Sequence, residues 1–165
     1  MSLLYFPNQT SSSSGSGKIL QVVTDSKNDL ATINSTTQAA LGLSCTITPS
    51  SSSNKIFCLA NINFGQSANS AAYFFLLRDT TVVGGGTGGT DSVTSVVYPY
   101  SDSSVYFQNA NVAFMDSPSA TSSITYSINW RALSAGSFTL YLNQRGFDQQ
   151  WSTSSNLTVF EIDGT

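Results

Sequence analysis

The chain has 165 residues and a mass of 17.5 kDa, which suits one domain that buries roughly 70% of its extended-chain surface without a metal or disulfide staple. Only 9% of its residues are charged, against about 25% in an average domain, so hydroxyls (30 Ser and 18 Thr) carry the solubility. With no His and a single Glu, Glu161, His-based triads, dyads and metal sites are excluded by inventory, and six scattered basic residues at a net charge of −3 offer nucleic acid nothing to hold.

The opening MSLLYFPNQT has no basic segment and an apolar run of only four residues, so neither a signal peptide nor insertion into a membrane is expected. Leu3, Leu4, Tyr5 and Phe6 form a short apolar patch that reads as a docking peptide or as a terminus packed on its own domain. Residues 7 to 17 (PNQTSSSSGSG) have the composition of a flexible tether. The expected organisation is therefore an attachment segment and tether over 1 to 17, then one folded domain over 18 to 165.

From Lys18 the dominant period is two. A strand is expected at 18 to 24, followed by a window (29 to 41) whose helical face of Leu30, Ile33 and Leu41 is undercut by Thr32, Asn34, Ser35, Thr36 and Thr37. That window is read as loop or strand. Between Ala39 and Thr48 the odd positions Ala39, Leu41, Leu43, Cys45 and Ile47 alternate with mostly Ser, Thr and Gly, the mark of a half-buried strand. The turn sequence PSSSSN then predicts a hairpin that pairs Ile47 with Ile56 and Cys45 with Cys58. Buried free thiols are expected there, with a disulfide as the alternative; two thiols without a third Cys or a His make a poor zinc site.

IFCLANINF (56 to 64) and AAYFFLLR (71 to 78) are apolar on both parities, as central strands or strands facing a neighbouring subunit would be. The glycines of VVGGGTGGTD lack the Lys and the helix of a phosphate loop and read as a loop or hairpin. Further strands are expected at 93 to 98, 104 to 115, 137 to 143 and 156 to 162. Ile124 to Ala132 gives the cleanest alternation, with Ile124, Tyr126, Ile128, Trp130 and Ala132 on one side. About nine strands with turn signals and no helical period predict an all-β antiparallel sandwich, jelly-roll-like.

No catalytic, cofactor-binding or metal residues emerge. The Asp residues are singles in turn-like contexts, so a glycan-active enzyme, which needs paired carboxylates in a cleft, is the reading of another class. Tyr98, Tyr100, Phe147 and Trp151 sit in turn-like segments beside Asn, Gln and Asp, where rings serve saccharide or protein recognition or fold back onto the core or a subunit interface.

Taken in order over about residues 18 to 162, GKILQVV, LSCTITPSSSSNKIFCLANINF, FFLLRDTTVV, FMDSPSATSSITYSINWRA and STSSNLTVFEI resemble a domain of virion structural proteins from tailed bacteriophages, especially marine and cyanobacterial ones. There it occurs on tail fibres, spikes and other appendages. The resemblance implies a small jelly-roll-like sandwich, often a homotrimer, similar in outline to the tumour-necrosis-factor or complement-globular-head fold. It implies a binding or structural role without catalysis or cofactors. The expected partners are further copies of the chain, other virion proteins, and a host-surface glycan or protein; the expected location is the virion, after synthesis in the host bacterial cytoplasm. Fibre proteins carry a long shaft ahead of this domain and this sequence does not, so a capsid decoration (cement) protein that stabilises the shell is the alternative.

Overall fold

A computed structural model describes residues 17–68, 70–86, 100–101, 106–146 and 151–164, and for residues 100–101 the backbone alone. Eleven strands are present among them: β1 (Ile19–Lys27), β2 (Ala31–Ile33), β3 (Ala39–Ile47), β4 (Lys55–Gln66), β5 (Ser70–Arg78), β6 (Thr81–Val83), β7 (Tyr100–Ser101), β8 (Gln108–Asp116), β9 (Ile124–Ala132), β10 (Leu140–Leu142) and β11 (Ser155–Ile162). The described residues contain no helix. The 29 to 41 window becomes β2, a loop and the start of β3, because its hydroxyl and amide residues compete with helical backbone hydrogen bonds.

Every pairing is antiparallel, and the strands build two sheets. In sheet A, β4 pairs β8 along one edge and both β11 and β10 along the other. Residues 140–142 lie opposite 66–64 and residues 156–162 opposite 61–55, so β10 and β11 form one lane interrupted by an excursion. On its far side β11 pairs β1 and β10 pairs β2, making a second interrupted lane. In sheet B, β9 lies between β3 and β5, and β5 pairs β6 and β7 on its other edge.

Numbered as lanes along the chain, sheet A runs 1-8-3-6 and sheet B 2-7-4-5. That is the strand order of a jelly roll, in which all but one of the lane-to-lane connections cross between sheets.

The inward faces supply one continuous core. Leu41, Leu43, Cys45 and Ile47 of β3, the even positions of β4 from Ile56 to Phe64, Ala72, Phe74 and Leu76 of β5, the even positions of β9, and Leu157 and Val159 of β11 are all buried. The expected alternations of β3 and β9 are thus observed, save that Ala39 at the strand end is exposed.

The expected hairpin across PSSSSN is not. β3 and β4 belong to opposite sheets: Ile47 pairs Ile124 and Cys45 pairs Tyr126, whereas Ile56 lies opposite Asp116 and Glu161, and Cys58 opposite Phe114 and Val159. The segment is an arch from one sheet to the other. Glu161 holds it, accepting from the Ser50 amide at 2.6 Å, the Ser50 hydroxyl at 2.7 Å and Asn54 Nδ2 at 2.6 Å. Both cysteines are buried and free.

AAYFFLLR is a central strand, and its outward residues Tyr73, Phe75 and Leu77 are themselves only 6%, 4% and 8% exposed. Arg131 lies over the Tyr73 ring, 4.1 Å from its centroid. That outer face is covered within the chain, so it is closed to a second subunit. The same does not hold for β4.

Candidate functional site

Sheet A presents an outer face made by the residues that alternate with the core positions. Pairing across its four lanes aligns Val22 with Phe160, Phe160 with Phe57, and Phe57 with Met115. This is an unbroken apolar row perpendicular to the strands. The Phe57 and Phe160 rings are 6.0 Å apart and half-buried, while Val22 is 52% and Met115 45% exposed. Leu59 in the next row and Ile19 at the strand start are also exposed. Cross-strand rows of this kind normally belong to a covered surface, since each ring left in water forfeits its transfer free energy.

Further along the same face the chemistry changes to amides. Asn156 pairs Asn61, Asn61 pairs Asn111, and Asn63 pairs Asn109. Asn is a poor strand former, and three of these five, Asn61, Asn63 and Asn109, are held by one another. Asn61 Oδ1 accepts from Asn109 Nδ2 at 2.7 Å and from Asn63 Nδ2 at 3.2 Å, and Asn109 Nδ2 also donates to Asn63 Oδ1 at 3.0 Å. Among the described residues of this outer face, Lys55 is the only charge.

Beyond the amides lies the excursion between β10 and β11, which rises over this face. Asn63 Nδ2 donates to the Ser154 carbonyl at 2.7 Å, and a Cβ on Gly65 would come within 2.7 Å of backbone atoms of Gln144, Arg145 and Gly146. Gly146 sits so close to the Gln66 backbone that any side chain there would collide. The excursion is pinned at its base by Asn143, fully buried and in the left-handed region (φ 57°). Asn143 Nδ2 donates to the Lys27 and Asp29 carbonyls at 2.8 and 3.1 Å, bridging the break between β1 and β2. Its Oδ1 accepts from the Ser155 hydroxyl at 2.6 Å. A bridge between Gln144 and Ser152 closes the base.

Of the four aromatic residues expected in recognition loops, Trp151 stands on this excursion, 61% exposed, with the Arg145 guanidinium 5.8 Å from its ring centroid. Tyr98 and Phe147 lie outside the described residues, as do Leu3, Leu4, Tyr5 and Phe6 of the expected attachment segment. Tyr100 contributes backbone pairing to Ala71 through β7.

Two carboxylates, Asp116 and Glu161, have anchoring roles. Asp116 accepts both Nη1 contacts of Arg78, at 2.9 and 3.1 Å, and the Tyr126 hydroxyl at 2.6 Å, tying β8 of sheet A to β5 and β9 of sheet B. Burial, then the Asp116 carboxylate, pushes the Tyr126 hydroxyl well above the usual phenol range. Glu161 is pulled the other way: burial opposes its charge, but the hydrogen bonds from Asn54 and Ser50 outweigh it and hold the carboxyl below its ordinary value. The signal that could have found both was position, since each closes a strand whose parity points inward. Among the described residues, no three of His, Cys, Asp and Glu come together as metal ligands.

No protein-family model matches the chain, and no curated protein matches it. Among solved structures, the chain is similar to one from the structure of infectious bursal disease virus Gt strain, at 12% identity and a TM-score of 0.41. That match takes in 89% of this chain and 42% of the other, so this chain spans less than half of its neighbour's length.

Proposed function

We propose that the chain is a non-enzymatic structural protein of a virion, a tail-fibre or appendage module of a tailed phage that assembles as a closed homo-oligomer. The observation that carries this reading is the outer face of sheet A: an otherwise complete jelly roll leaves an ordered, nearly uncharged apolar row in water. Such a face fits contact with protein. The resemblance of the sequence blocks to phage virion domains supports a contact within a particle, and the exposed Trp151 beside Arg145 gives the module a group suited to a host glycan or protein.

A capsid decoration protein is the second reading, favoured by the same apolar row if it seats on a shell. Labelling the protein on purified particles tests the proposal directly, with density expected on a tail appendage. Density on the shell would favour the decoration role, and absence from particles would sink both.

A further inference from the structure

We infer that the row Val22, Phe160, Phe57 and Met115 is where copies of this chain meet, and that its occupant is the same row of a neighbouring copy. The inference deepens the structural-protein reading by naming the partner.

Three observations select a second copy over a foreign protein. First, the two strands apolar on both faces differ in what covers them: the outward side chains of β5 are buried within the chain, whereas Leu59 of β4 is 42% exposed and Val22 and Met115, in the same outer face, are 52% and 45% exposed. The unsatisfied apolar surface is therefore on sheet A. Second, the face is self-complementary. Apolar side chains pack against their own equivalents, and amides, each both donor and acceptor, can pair with amides of the same kind. With Lys55 as the sole charge among the described residues of this face, one lysine per copy is the only like charge such a meeting brings together, and no charge pattern selects a different partner.

Third, the area is of the right order. Four lanes about 4.8 Å apart and about nine residues long at 3.3 Å give a face of roughly 550 Å². A stable interface takes about 800 Å² per partner, and the exposed strand start at Ile19 and Leu20 extends the face toward that size. A row that meets its own counterpart does so across a two-fold axis, so this contact joins copies in pairs. The excursion that carries Trp151 first meets the face at Asn63, six residues along β4 from Phe57, about 20 Å away, so the apolar row is clear of that loop.

The test is the mass of the full chain by sedimentation at low micromolar concentration, read beside Val22→Lys with Met115→Lys. Both side chains are half in water, so the folded chain tolerates the change, and an unaltered circular dichroism spectrum with a single cooperative thermal transition of the isolated variant would verify it. A wild-type mass twice 17.5 kDa, falling to 17.5 kDa in the double variant, is expected, and a mass three times that value would overturn the row-to-row contact. Leu133→Lys, exposed but off this face, should leave the assembly intact.

An oligomer that survives the double variant would overturn the inference while leaving the closed-oligomer part of the proposed function standing. A wild-type monomer would overturn the inference too, and a monomer that associates once residues 1 to 16 are deleted would identify the chain's own leader as the occupant. Whether the protein is a virion component at all is read separately, from particles.

Discussion

Replacing Asn143 by alanine probes how the Trp151 excursion is held on the sandwich. The side chain is fully buried and makes three hydrogen bonds: two donated to backbone carbonyls that flank the break between β1 and β2, and one accepted from Ser155. Each is worth about 1 kcal/mol net, with more lost where a buried partner is left unsatisfied. The Ser155 hydroxyl is such a partner; the Asp29 carbonyl, on an exposed residue, can turn to water. The backbone adds its own term, because a φ of 57° suits Asn or Gly and costs a Cβ residue about 1 kcal/mol.

Asn143→Ala should therefore destabilise by about 4 kcal/mol, and Asn143→Gly by about 3 kcal/mol, since glycine loses the bonds but not the conformation. For a chain of this size that corresponds to a fall in thermal midpoint of roughly 8 to 16 °C for alanine. Urea denaturation of the three proteins measures both numbers, and the difference between the two variants isolates the backbone term. A loss below about 1 kcal/mol in the alanine variant would show that the excursion is not anchored there, and a glycine variant weaker than alanine would refute the argument from φ.

Acid should weaken the arch before it weakens the core. Because the folded-state pKa of Glu161 lies below its ordinary value of 4.5, its contribution is fully present above that value and is lost as pH falls through the lower, folded one. Glu161→Gln should cost about 1 to 2 kcal/mol at neutral pH and flatten the stability profile below about pH 4.5, so parallel profiles of variant and wild type would contradict the assignment. The thiols should be silent in the folded protein: burial and the nearby Asp25 carboxylate push Cys45 up to about 11, and burial raises Cys58 further, so alkylation should proceed only at the rate of opening. Rapid labelling of the native chain would disprove this. Trp151→Ala should change stability by less than about 1 kcal/mol and leave the oligomer intact, yet weaken adsorption of particles to host cells. Unchanged adsorption, with particles losing resistance to heat, would favour the decoration role instead.

The alternation of β3 and β9 was legible residue by residue, because side-chain parity along a strand is a local property and a buried face demands apolar groups at every second position. The same locality explains why the 29 to 41 window could be denied a helix. What parity does not carry is the identity of the strand alongside. PSSSSN reverses the chain whether β3 and β4 then pair by backbone or face each other through their side chains, and Cys45 and Cys58 point inward in both cases; the arch was decided by β9 and β11 taking those backbone edges and by Glu161 fastening the crossing. IFCLANINF and AAYFFLLR likewise look alike as strings. Only the packing covers Tyr73, Phe75 and Leu77 while leaving Val22, Phe57, Phe160 and Met115 aligned toward solvent, because a row across four lanes joins residues far apart in sequence whose common face exists only once the sheet has formed.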